Sequence, residues 1–115
     1  MQKIPDELKN KIAQFQTLQQ QLQMVAVQKQ QLILERAEAE EASKEIGASK
    51  GEVYKSVGPI LVKSDRAALE KGLKEDMSSA ENRISLLDKQ EQKLVLKAQE
   101  LQKELQTGLK GVQAE

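Results

Sequence analysis

The sequence predicts a mainly α fold, a long antiparallel two-helix coiled coil whose helices are joined by a single β-hairpin. Three observations predict it. Leu73, Met77, Ala80, Ile84, Leu87, Glu91, Leu94, Ala98, Leu101, Leu105, Gly108 and Val112 alternate steps of four and three without a slip, the spacing of a heptad seam. Leu8, Ile12, Phe15, Leu18, Leu22, Val25, Leu32 and Ile33 recur at three- and four-residue spacing earlier in the chain. Between them, residues 52–64 place β-favouring side chains on both sides of Gly58-Pro59.

The first helix starts at Ile4-Pro5-Asp6-Glu7, where Pro fits the first turn and two acids meet the positive end of the helix dipole. Its stripe slips once. Phe15, Leu18 and Leu22 step three then four where the preceding phase would place Gln19 in the seam, which predicts a local shift in the supercoil. Past Leu34 only Ala37, Ala39, Ala42 and Ile46 remain as apolar contacts, and Gly47 stands where a C-terminal cap belongs. The helix is expected over about residues 6–46, roughly 60 Å long.

Residues 48–51 lead into the hairpin, expected over about residues 52–63. Val53, Tyr54 and Val57 form its first strand, and Ile60, Leu61 and Val62 its second. Gly58 supplies the positive φ that the first central position of a type II′ turn demands, and Pro59 takes the second. Pairing about that turn sets Val57 opposite Ile60, Ser56 opposite Leu61, Lys55 opposite Val62 and Tyr54 opposite Lys63, so both faces carry apolar side chains. A lone hairpin is marginal in water, and this one should seek other strands.

Ser64 or Asp65 can cap the second helix, expected over about residues 65–112 and roughly 70 Å long. Ser78-Ser79-Ala80-Glu81 resembles a capping box, but the seam passes through it unshifted, so the helix is read as continuous. Folding back is the cheaper route for the two helices, because the insert of residues 47–64 keeps them close. Setting Ile46 against Asp65 brings Leu22 near Leu87 to Leu94, and Ile12 and Phe15 near Leu94 to Leu101. The two termini then lie together, remote from the hairpin.

Composition agrees with narrow seams in one domain over residues 1–115. With one Phe, one Tyr and no Trp, the chain lacks the side chains that fill a globular core. Lys and Arg number 18 and Asp and Glu number 18, so no net field draws it to nucleic acid or to a membrane surface. No apolar run approaches the ~20 residues of a membrane span, and Met1-Gln2-Lys3 leads into polar helix rather than a signal-peptide core, so the expected location is cytoplasmic. Cys and His are both absent, which removes thiolate metal sites and the commonest acid-base group. No cofactor, metal or catalytic residue is expected.

Particular residues are read in the same way. Glu91 is the one charge in the second seam, either fixing register against the Gln19 to Gln21 region or reaching solvent from a two-stranded coil. Glu35, Glu38, Glu40, Glu41 and Glu45 scatter around the helix among Arg36 and Lys44, as a solvated face does. The Gln-rich stretch from Gln14 to Gln31 keeps helical apolar spacing and reads as polar helix surface. At the free ends, Ile4, Leu8, Ile12 and Phe15 load the first helix, and Leu101, Leu105, Leu109 and Val112 the second, beside Gly108 and Gly111. Each Gly costs about 1 kcal/mol of helix propensity, so these turns should fray and bare apolar side chains. Two readings stand: a two-pronged grip on exposed apolar surface, or residues that only finish the seam.

Two helices joined by one VYKSVGPILVKSD hairpin and followed by RAALEKGLKE resemble the β-type subunit of prefoldin, the archaeal and eukaryotic cochaperone. The resemblance runs from about Ile4 to Val112 and is most specific over Glu52 to Leu73. The insert is too short for two hairpins, which matches β-type rather than α-type subunits. The resemblance implies a hexamer of two α-type and four β-type subunits, with Val53 to Lys63 in a shared β-barrel platform from which six coiled coils hang. It implies capture of unfolded polypeptides at the distal coil ends and transfer, without ATP, to a group II chaperonin. The client-binding residues it implies are the apolar tip positions Ile4, Leu8, Ile12, Phe15, Leu101, Leu105, Leu109 and Val112. The alternative is a scaffold or tether that spaces other proteins without binding clients. A helical arm for nucleic acid, like that of seryl-tRNA synthetases, would need a basic stripe, and an enzyme would need catalytic residues.

Overall fold

The computed structural model describes residues 4–114, with side chains described as far as Gly111. Four elements follow one another: α1 (Asp6–Ala48), β1 (Val53–Val57), β2 (Ile60–Ser64) and α2 (Arg66–Ala114). Asp6 and Glu7 occupy the first turn of α1, and the Lys9 N–H donates to the Pro5 carbonyl at 3.0 Å. Proline lacks an N–H, so it sits where that donor would be orphaned anyway.

The end of α1 differs from the expectation. The helix runs through Gly47 to Ala48, and among the described residues only Gly51 (φ 102°) and Gly58 (φ 58°) are left-handed. A glycine cap at Gly47 is unnecessary because other donors take the last carbonyls. The Ser49 N–H donates to Glu45 O at 2.9 Å, and the Ser49 hydroxyl to Ile46 O at 3.2 Å. The Arg66 guanidinium, from the start of α2, donates to Ile46 O as well.

The hairpin has the pairing its sequence requires. Val57 faces Ile60, Ser56 faces Leu61, Lys55 faces Val62 and Tyr54 faces Lys63, with Val53 and Ser64 adding one further pair. Gly58 carries the positive φ at the turn. Asp65 caps α2: its carboxylate accepts from the Ala68 N–H at 3.2 Å, and its carbonyl from the Leu69 N–H at 3.0 Å. The helix then passes Ser78 to Glu81 unbroken.

Every described position of the α2 seam, from Leu73 to Gly108, is buried or half-buried. In α1 the seam is more regular than its apolar residues suggest. Leu8, Lys11, Phe15, Leu18, Leu22, Val25, Lys29, Leu32, Arg36, Ala39, Ser43 and Ile46 are all buried or half-buried, and they alternate steps of three and four throughout. No phase shift is needed at Phe15 to Leu22. Long charged side chains can hold such positions because their aliphatic stems are apolar, and here the Lys11 and Arg36 heads pair with Glu104 and Glu81 of α2. Ile33, 44% exposed, lies outside the seam beside the buried Leu32, and Ala37 is exposed too.

The chain packs as two compact units, one combining α1 up to Gln28 with α2 from Leu87 onward, the other spanning Lys29–Leu86. In the first, Leu8 and Val25 are buried, and Lys11 Nζ lies 3.4 Å from Glu104 Oε2. Leu8 meets Gly108. These pairs confirm the antiparallel course but place α1 about one turn further along α2 than the expected register. In the second unit Leu32, Ala39 and Ala80 are buried, and the Arg36 Nε–H donates to Glu81 Oε1 at 2.8 Å.

Candidate functional site

Two regions present apolar surface that the chain itself leaves uncovered. The first is the hairpin. Alternation along the strands puts Val53, Val57, Ile60 and Val62 on one face with Lys55, and Tyr54, Ser56, Leu61 and Lys63 on the other. Val53 is half-buried, whereas Leu61 is 72% exposed, and Tyr54, Val57, Ile60 and Val62 are exposed as well. The two-stranded sheet pairs only within itself, so the outer edges of β1 and β2 keep backbone donors and acceptors available for further strands.

The polar end of the hairpin is fixed by Glu52. Its carboxylate sits 3.0 Å from Lys63 Nζ and accepts a 2.8 Å hydrogen bond from the Tyr54 hydroxyl. The bond to Lys63, then that to Tyr54, hold the Glu52 carboxyl below its usual range. Donation to that carboxylate raises the Tyr54 phenol above its own. Glu52 thus holds the Tyr54 hydroxyl and the Lys63 ammonium together, on the face that also carries Leu61.

The second region is the helix ends. Ile4 and Leu109 are exposed, at 39% and 38%. Leu8 is buried, and Ile12, Phe15, Leu101 and Leu105 are half-buried. The Val112 side chain lies outside the described residues. Gly108 is a seam position, and a Cβ built on it would fall 2.6 Å from Leu8 Cδ1. It is the hole into which Leu8 inserts, a packing role that its low helix propensity alone does not reveal. Gly111 is exposed with nothing near it.

Reading for the seam overlooked a further set of apolar side chains. Met24, Val27, Leu34, Leu86 and Leu96 are each about 60% exposed, out of phase with the residues that pack. Their spacing from Met24 to Val27 was a visible signal, masked by the glutamines around them. Glu91 is half-buried at its seam position. Glu40 accepts from Arg36 at 3.3 Å and lies 3.7 Å from Lys44 Nζ. Among the described residues no three acidic side chains converge on a metal-sized site, and no helix is long and apolar enough to cross a membrane.

Paired helices, a hairpin with bare faces and open edges, and apolar helix ends define a subunit of a larger assembly, one that works by surface contact. Comparison with known proteins makes this specific. The family model described as prefoldin subunit matches residues 9–111. Prefoldin subunit beta of Thermococcus onnurineus is 42% identical over 112 residues, covering 96% of this chain and 97% of that one. Prefoldin subunit beta of Methanothrix thermoacetophila is 38% identical over 108 residues, covering 92% and 90%. The crystal structure of the prefoldin beta subunit from Thermococcus strain KS-1 superposes with a TM-score of 0.83 at 39% identity, covering 95% and 97%. The chain belongs to the prefoldin subunit family, in its β-type branch. This is a family of chaperone subunits that assemble with other prefoldin subunits, not an enzyme family.

Proposed function

We propose that the chain is one of four β-type subunits that join two α-type subunits in a cytoplasmic hexamer. In this reading the whole chain acts as one domain, the hexamer holds unfolded polypeptides without ATP, and it passes them to a group II chaperonin. The observation that carries the proposal is the hairpin: Tyr54, Val57, Ile60, Leu61 and Val62 are all bare, on a sheet with both edges open. Strands from other subunits would cover them, closing the sheet and removing its edges. Val53, half-buried at the root of β1, would complete the apolar set.

Capture falls to the helix ends. Ile4 and Leu109 offer apolar surface directly, while Leu8, Ile12, Phe15, Leu101 and Leu105 become available as the last turns open; Val112 belongs to the same end. A few hundred Å² buried by one tip gives several kcal/mol at about 25 cal/mol per Å², much of it offset by ordering the client. One arm therefore binds weakly. Several arms around one polypeptide raise the effective concentration and give reversible capture with no nucleotide cycle.

The burial of Leu8 against Gly108 favours a second reading, in which the end residues finish the seam and the assembly only spaces other proteins. Ile4→Glu with Leu109→Glu separates the two. Both sites are exposed, so assembly should survive. Loss of aggregation suppression by the intact assembly supports capture; undiminished suppression supports the scaffold.

A further inference from the structure

We propose that Arg66 is the positioning residue that fixes the root of the hairpin to the end of α1, and so presents the assembly surface at a defined angle. Arg66 is the first residue of α2, where the positive end of the helix dipole disfavours a cation, and no acid accompanies it in that turn. Its own helix gives no reason for it. The reason lies in α1, whose last turn contains no basic residue to meet the negative end of its dipole and whose final carbonyls need donors.

The guanidinium meets both needs. Nη1 donates to Ile46 O, in the last turn of α1, and to the Ser49 hydroxyl at 3.3 Å; Nη2 donates to Gly51 O at 2.9 Å. Ser49 itself donates to Ile46 O, which closes the group. Gly51 is left-handed, at φ 102°, and lies two residues before β1. One half-buried side chain thus ties the end of α1, the loop that leads into β1 and the start of α2 together. The planar fork can reach three acceptors in fixed directions, which a lysine ammonium on its flexible stem cannot do with the same geometry.

In a shared sheet, each hairpin must arrive in register with strands from neighbours, so loss of the clasp should weaken assembly without altering any residue of the strands. This consequence rests on the hexamer reading above, and the test separates the two. The chain has no cysteine, so Glu41→Cys and Lys55→Cys, both at exposed sites, allow spin labels on α1 and β1. In the isolated chain, Arg66→Ala should at least double the width of the distance distribution while helix content by circular dichroism is kept. Arg66→Lys should restore it only in part. Without the labels, Arg66→Ala should raise the concentration needed for half-assembly with α-type subunits tenfold or more. Distance widths equal to those of the native residue, or native assembly despite broadening, would overturn the proposal. If the unsubstituted chain does not assemble with α-type subunits, the hexamer reading fails, and the label distances alone decide the role of Arg66.

Discussion

Leu8 and Gly108 should be energetically coupled, and the geometry sets the size of the effect. A methyl at Gly108 would lie 2.6 Å from Leu8 Cδ1, about 1 Å inside normal carbon contact. Gly108→Ala gains about 1 kcal/mol of helix propensity and loses about the same through displacing a well-packed Leu8, so its net effect should be near zero. Leu8→Ala removes a buried side chain and should destabilise the end of the pair by about 2 kcal/mol, the low end for such a change because the seam is thin. With residue 8 as Ala, the obstacle is gone and Gly108→Ala should keep its full gain. The two substitutions should therefore couple favourably by about 1 kcal/mol. Native-state hydrogen exchange of the amides from Leu105 to Leu109 reads this as about fivefold greater protection. If Gly108→Ala changes protection equally in both backgrounds, to within about 0.4 kcal/mol, Leu8 does not occupy the space at Gly108 and the packing argument fails.

Other expectations follow from the charged and exposed residues. Arg36→Met keeps the aliphatic stem but removes the Glu81 and Glu40 partners; both sides are partly exposed, so thermal melts should show only a small loss that shrinks at about 1 M salt. The Glu52 carboxyl is held below its ordinary value of 4.5, so its stabilising contribution to the hairpin is present above that pH and lost as pH falls through the folded pKa. The Tyr54 phenol is raised above 10.0, so its contribution is present below that pH and lost as pH rises through its folded pKa. Amide exchange across β1 and β2 should follow both limbs, and Glu52→Gln should abolish the acid one. Leu61→Glu, at a site 72% exposed, should leave the melting of the lone chain unchanged while raising the half-assembly concentration at least tenfold in light scattering.

The parts of the fold legible in the sequence were those governed by one dominant local rule. Gly58-Pro59 between β-branched runs admits one tight turn, and the strand pairing followed from it residue by residue. The α2 seam was legible because almost every position in it is apolar. In α1 the same heptad is carried partly by Lys11, Lys29 and Arg36, so the apolar residues alone do not hold its phase, and Ile33 falls beside the seam residue Leu32. Gly47 has the sequence position of a cap, but the donors that make a cap there unnecessary, Ser49 and Arg66, come from beyond the helix. Arg66 could not be found by helix rules at all, since its partners are three carbonyl or hydroxyl groups on a different segment. Burial of Leu8 by Gly108 required the register, which the sequence placed one turn away.

Mixing this chain with an α-type prefoldin subunit allows assembly and client capture to be followed in one sample. Light scattering gives the assembly mass, and turbidity gives the aggregation of a diluted, denatured client without ATP. The expected result is a hexamer that keeps the client soluble. A hexamer that leaves aggregation unchanged would contradict capture at the helix ends, and a chain that stays unassembled would contradict the hairpin as the surface on which the subunits join.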